Sequence, residues 1–148
     1  MSHQNFAGYA GDLLALDAYA LLEGDASAVL IDVRTEAEWA YVGTPDLQAL
    51  GKKPLFLEWQ SYPSMAVDAD FAASLEARLH SAGVERGVPL VFLCRSGARS
   101  RHAAIAMTSA GWGPCFNVAD GFEGLLDDSR RRGGAGGWKA GGLPWTQT

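Results

Sequence analysis

The segment Leu90-Val91-Phe92-Leu93-Cys94-Arg95-Ser96-Gly97-Ala98-Arg99-Ser100 ends an apolar run on a thiol and follows it with small and basic residues. An apolar run of this length is a buried strand, and a helix resumes at Ser100. In a parallel α/β sheet, ligands bind at the carboxyl ends of the strands, where such a loop lies. Ser96, Gly97 and Ala98 are small enough for the backbone to curl and turn its N–H groups inward. A nest of this kind, backed by a helix N-terminus, favours an anion. Arg95 and Arg99 flank it, and Arg101 follows.

A cysteine on the floor of such a nest is itself the group to be stabilised. An ordinary thiol with a pKa near 8.5 is only about 3% ionised at neutral pH. Helix N-termini and nearby cations bring reactive cysteines down to roughly 3.5–7.5, which would make the thiolate the main species. Free cysteines are also frequent core residues, but the composition of residues 95–99 favours a nucleophile over simple packing.

The elements that must hold this loop are legible along the chain. Residues 12–22 carry leucines and Tyr19 at helical spacing, and Gly24 stops them. Residues 28–33 form a short apolar strand. Thr35 then caps a short helix with Glu36 and Glu38 in its first turn, ending near Gly43. Residues 54–59 read as a second strand and 60–68 as a loop. Phe71, Leu75 and Leu79 mark a helix over 71–82, closed by Gly83. Residues 89–93 are a strand, 100–110 a helix and 115–118 a last strand. Apolar strands alternating with helices predict a three-layer α/β domain, with a mostly parallel sheet flanked by helices.

The composition fits that reading. At 148 residues the chain suits one domain, with a core over about 9–128 and an irregular glycine-rich tail over 129–148. Hydrophobic residues make up 48%, enough for a core without disulfide staples. The net charge of −5 argues against broad nucleic-acid binding, which needs a basic face. No apolar stretch approaches the roughly 18 residues of a membrane helix, and residues 1–12 lack the pattern of a signal peptide. The expectation is a cytoplasmic protein with no cofactor, metal, nucleic-acid or membrane partner. The two cysteines, Cys94 and Cys115, have neither zinc-site nor disulfide-framework spacing. If their strands run parallel, they fall at opposite ends of the sheet, roughly 16 Å apart, beyond the about 7 Å reach of a disulfide.

In this order the motifs resemble those of the rhodanese family. Ile31-Asp32-Val33-Arg34 followed by Glu38-Trp39 is similar to the family's first signature, and residues 94–100 to its active-site loop. Asn117-Val118 with Gly121-Phe122-Glu123-Gly124 resembles the segment after its last strand. Gly137-Trp138 and Leu143-Pro144-Trp145 resemble the end of single-domain members. The likeness runs over roughly residues 9–145. It implies a thiosulfate-type sulfurtransferase with Cys94 as nucleophile and Arg95, Ser96, Gly97, Ala98 and Arg99 as the anion-binding loop. The partners implied are a small anionic sulfur donor and a thiol or cyanide acceptor, with a protein sulfur donor or acceptor also compatible. A sulfur relay protein loaded by a partner enzyme is the alternative. Phosphatases and arsenate-reductase-like enzymes of related fold are a third class. The phosphatases place five residues between cysteine and arginine, whereas Cys94 and Arg99 are separated by four. Where the family has Gly-His-Ile, this chain has Gly43-Thr44-Pro45, and its 45–68 segment is long, with Trp59 and Tyr62 available to line a pocket mouth.

The remaining polar residues have plainer readings. Asp32 and Arg34 read as a buried ion pair or loop brace rather than as pocket lining, with Arg34 also placed to meet Glu38. His102 and His80 read as helix-surface residues. Arg130, Arg131 and Arg132 lie beside Asp127 and Asp128, as a solvated loop would. Trp138, Leu143 and Trp145 read as anchors of the tail on the core.

Overall fold

The structure is a computed structural model, and it describes residues 8–61, 64, 66–124 and 136–147. Its centre is a five-stranded, all-parallel sheet in the order β1-β8-β7-β2-β4. The strands are β1 (Gly11–Leu13), β2 (Val29–Asp32), β4 (Leu55–Phe56), β7 (Leu90–Leu93) and β8 (Cys115–Val118). Two small antiparallel pairs lie outside it: β3 (Thr44–Pro45) with β9 (Trp145–Thr146), and β5 (Gln60–Ser61) with β6 (Ala66–Val67).

The alternation of side chains along the central strands divides the core into two layers. Ile31, Val33, Leu90 and Phe92 point to one face and meet α3 (Phe71–Ser81) and α4 (Ala98–Ser109) through Leu75, Leu79, Ala103 and Met107. Leu30, Val91, Leu93 and Val118 point to the other and meet α1 (Ala15–Gly24) and α5 (Gly137–Ala140) through Ala18, Leu22 and Trp138. Burying each of the Val, Leu, Ile, Phe and Met side chains among these stabilises the fold by about 1.5–3 kcal/mol. Both faces are covered, so the central strands are mainly apolar, and the expected three-layer α/β architecture is present.

Several boundaries differ from the sequence reading. The first helix begins at Ala15, because the Asp120 carboxylate accepts the Ala15 N–H at 2.8 Å and fixes its start there. Residues 11–13 instead pair with β8 as an edge strand. Only 55–56 of the expected 54–59 strand join the ladder. Beyond them Leu57 and Trp59 donate to Asp32 and Val33 carbonyls as the chain leaves the sheet. The expected 60–68 loop contains the β5–β6 pair. Helix α2 (Glu36–Val42) has the expected Thr35 cap, completed into a capping box by Glu38.

The tail is anchored rather than loose where it is described. Trp138 is fully buried and Leu143 packs beside it, while Trp145 remains partly exposed over Lys139. The Arg130–Arg132 run lies outside the described residues. No helix among the described residues is long and apolar enough to cross a membrane.

Candidate active site

Cys94 leaves the carboxyl end of β7 with only 1% of its surface exposed. Gly97 then adopts a left-handed conformation at φ 104° and serves as the N-cap of α4, which starts that helix two residues before the expected Ser100. A side chain cannot replace it, because a Cβ there would sit 2.4 Å from the Ala119 carbonyl oxygen. This turn directs the Gly97 N–H at Cys94 Sγ, 3.2 Å away. Ala98 and Arg99 open the helix, so their N–H groups have no acceptor within it. Gly97 is buried, Ser96 and Arg99 are half-buried, and Arg95 and Ala98 are exposed.

The loop is clamped from behind by the segment that follows β8. Phe122 N–H donates to the Cys94 carbonyl at 2.8 Å, and Glu123 N–H to the Arg95 carbonyl at 3.0 Å. Gly121, at φ 65°, approaches so closely that a Cβ would lie 2.3 Å from Arg95 O. Trp138 and Lys139 N–H groups then donate to the Gly121 and Phe122 carbonyls. Asp120 ties the brace together, capping Ala15 with one carboxylate oxygen and Gly137 with the other. The tail therefore supports the loop through its main chain.

The loop's two arginines have different surroundings. Arg99 makes a bidentate pair with Glu38, at 2.7 and 2.9 Å, with side chains 16% and 18% exposed. Burial alone would raise the Glu38 carboxyl. The Arg99 hydrogen bonds and charge, with the Thr35 N–H, outweigh it and pull the group from 4.5 down to about 2. Burial also disfavours the Arg99 charge, and Glu38 more than compensates, holding the guanidinium above its ordinary value. Arg95 projects into solvent.

Arg34 does not meet Glu38. It is fully buried on Asp32, with Nη2 at 2.7 Å from Oδ2, and also donates to the Gly43 carbonyl at 2.8 Å. Its guanidinium stacks 4.2 Å from the centre of the Phe122 ring. The expected Asp32–Arg34 brace is thus present, fixing the Gly43 turn and Phe122 rather than helix α2.

The sulfur has a second polar neighbour that the sequence reading passed over. Ser100 Oγ lies 3.2 Å from Cys94 Sγ and also hydrogen-bonds Asn117 Oδ1. Asn117 Nδ2 donates to Asp12 Oδ1 at 3.0 Å, and Tyr9 O–H donates to the same oxygen at 2.8 Å. Burial, with Asp12 adding to it, pushes the Tyr9 hydroxyl up to about 12. The available signal was Asn117 itself, a polar side chain inside a strand that reads Cys-Phe-Asn-Val.

The other candidates lie apart from this network. Cys115 pairs in register with Leu90, at the opposite end of β7 from Cys94, and burial pushes its thiol up to about 11. His102 is exposed and stacks on Trp59, with ring centroids 6.5 Å apart. His80 is exposed near the end of α3, edge-on to Trp112. Tyr62 lies outside the described residues. Among the described residues, no group of three His, Cys, Asp or Glu side chains could hold a metal ion.

The STR4 middle-domain family model matches residues 11–148. The chain belongs to the STR4 middle-domain family. Its curated relatives include the RP600 homolog of Rickettsia rickettsii, an uncharacterized protein 37% identical over 90% of this chain and 95% of the relative. An uncharacterized protein from the dnaA 5' region of Rickettsia montanensis is 36% identical over the same shares. Among solved structures, Rv0390 from M. tuberculosis superposes with a TM-score of 0.85 at 46% identity, covering 95% of this chain and 99% of that one. A polysulfide-sulfur transferase homodimer from Wolinella succinogenes gives 0.60 at 24% identity, covering 96% and 81%. A rhodanese-like domain protein from Staphylococcus aureus gives 0.54 at 15%, covering 93% and 98%. This STR4-type domain has the rhodanese-like fold.

Proposed function

We propose that this protein is a sulfurtransferase that carries sulfane sulfur as a persulfide on Cys94, in a single domain spanning residues 1–148. The observation that carries the reading is the placement of Cys94 Sγ on the floor of the loop, 3.2 Å from the Gly97 N–H and beside the start of α4. A single anionic sulfur fits such a nest. In the first half-reaction the Cys94 thiolate attacks the outer sulfur of a donor such as thiosulfate. The donor S–S bond breaks and sulfite leaves with its electron pair. In the second, a thiolate or cyanide attacks the outer sulfur of the persulfide, and the Cys94 thiolate is released. The N–H groups of residues 95–99 hold the charge on the terminal sulfur. Arg95 attracts the anionic donor from solvent.

The four-residue spacing and the engagement of Arg99 by Glu38 both favour sulfur over phosphate as the transferred group. A dianionic phosphoryl group needs a free bidentate guanidinium, and here that guanidinium faces Glu38. The same pairing leaves Arg95 as the loop's exposed cation, which supports a second reading, a relay protein loaded by polysulfide or by a partner enzyme. The test is thiocyanate release from cyanide, with thiosulfate, polysulfide and a cysteine desulfurase with cysteine offered in turn as donor. Turnover with thiosulfate, lost in Cys94→Ser, supports the first reading. Turnover only with polysulfide or the desulfurase supports the relay, and Cys94-independent turnover contradicts both.

A further inference from the structure

Ser100 has one hydroxyl hydrogen and two partners that could take it, Cys94 Sγ at 3.2 Å and Asn117 Oδ1. Which of them takes it depends on Asn117, because its amide would present a donor to Ser100 if reversed. Asp12 decides the matter. Its carboxylate oxygen can only accept, and it takes the Asn117 Nδ2–H at 3.0 Å and the Tyr9 O–H at 2.8 Å. The amide nitrogen is therefore committed to Asp12, and its oxygen faces Ser100. Ser100 is fully buried and Asn117 nearly so, which sharpens the competition for the one hydrogen.

We propose that Ser100 is a positioning residue whose single hydrogen switches between Asn117 and Cys94 with the charge on the sulfur. This rests on the reading above only in taking Cys94 Sγ as the reacting atom. When the sulfur is a neutral thiol, Ser100 donates to Asn117 and its lone pair accepts the S–H. When the sulfur is anionic, after the thiol proton has left to solvent or after a persulfide has lost its outer sulfur, the hydroxyl turns. It then joins the Gly97 N–H as a second donor to sulfur, and Asn117 Oδ1 is left without it. No proton travels along the chain; Asp12 and Asn117 only set the orientation. The Asp12–Asn117 pair thus holds the hydroxyl away from sulfur until charge develops there. The charged or titratable groups around this line are Asp12, Tyr9 with Arg101 near it, Arg99 with its partner Glu38, and beyond Arg99 the Asp32–Arg34 pair.

The two ends of the switch respond in opposite directions, which a packing defect would not reproduce. Ser100→Ala removes the second donor, and the thiolate is disfavoured. Asn117→Leu removes the competing acceptor at similar volume, and the Ser100 hydrogen is free for sulfur. The readouts are the ultraviolet thiolate absorbance and the rate of carbamidomethylation of Cys94 by iodoacetamide at neutral pH. In the latter the thiolate attacks carbon and iodide leaves. Neither needs a sulfur donor, so a failed thiosulfate reaction leaves this test standing. One hydrogen bond to a charged atom corresponds to about a tenfold change. Ser100→Ala is expected to lower the Cys94 rate about tenfold with weaker thiolate absorbance, and Asn117→Leu to raise both. Circular dichroism confirms that each variant is folded, and Asn117→Val replaces the leucine variant if that one is not. Equal rates in Ser100→Ala and the parent protein, or a fall in both variants, overturns the proposal.

Discussion

Removing the Glu38 carboxylate while keeping its shape isolates the ion pair that restrains the loop. Glu38→Gln preserves an amide oxygen for the Thr35 N–H and hydroxyl, so the cap of α2 survives. It removes the charge that holds Arg99. Glu38 drops from 4.5 to about 2 in the folded protein, a difference equivalent to about 3.4 kcal/mol. Both side chains retain some exposure, and solvent screening brings the expected loss to about 2 kcal/mol. For a chain of this length that lowers Tm by about 4–8 °C. The pH dependence has a definite sign. A carboxyl lowered by folding stabilises fully above its unfolded value near 4.5, and that stabilisation fades as pH falls toward about 2. Thermal melts of both proteins, followed by circular dichroism, should therefore differ at neutral pH and converge between pH 4.5 and about 2. A Tm difference below about 1 °C at neutral pH, or one that persists undiminished at the acid end, would refute the reasoning.

Other positions give independent checks. Gly121→Ala places a Cβ against the Arg95 carbonyl at a positive φ, so the loop must shift. Persulfide formation should fall by at least about tenfold while the domain stays folded, and unchanged loading would contradict the clamp. Trp138→Ala removes a fully buried indole and should lower stability by about 3–5 kcal/mol in urea unfolding. A loss under about 1 kcal/mol would mean the tail is not part of the core. Cys115, whose thiol is pushed up to about 11, should resist alkylation in the native protein and react only in denaturant. Peptide mapping that finds it labelled natively would contradict its burial.

The inner strands beside the thiol were legible because β7 is a continuous apolar run and β2 nearly so. Leu90–Leu93 could hardly be anything but a buried strand, and the thiol at its end followed directly. Gly97 was legible only as one of three small residues that let the loop curl, while its role as the cap of a helix starting at Ala98 depends on its close approach to Ala119. What escaped was set by distant contacts. Gly11-Asp12-Leu13 is too short and too polar to announce a strand, and it exists because β8 offers it an edge. Glu38 is 61 residues from Arg99, and proximity along the chain pointed instead to Arg34, whose charge Asp32 already satisfies. The Ser100–Asn117–Asp12 line joins three elements that only the parallel register brings together. Two-residue ladders such as β3–β9 carry no periodicity at all.

The most direct test of the central claim is the intact mass of the protein after incubation with thiosulfate or polysulfide, beside Cys94→Ser. The parent protein should gain a single sulfur atom, reversed by cyanide or dithiothreitol and absent from the variant. A parent protein that gains no sulfur from either donor or from a desulfurase, or a variant that gains it equally, would contradict sulfur transfer through Cys94.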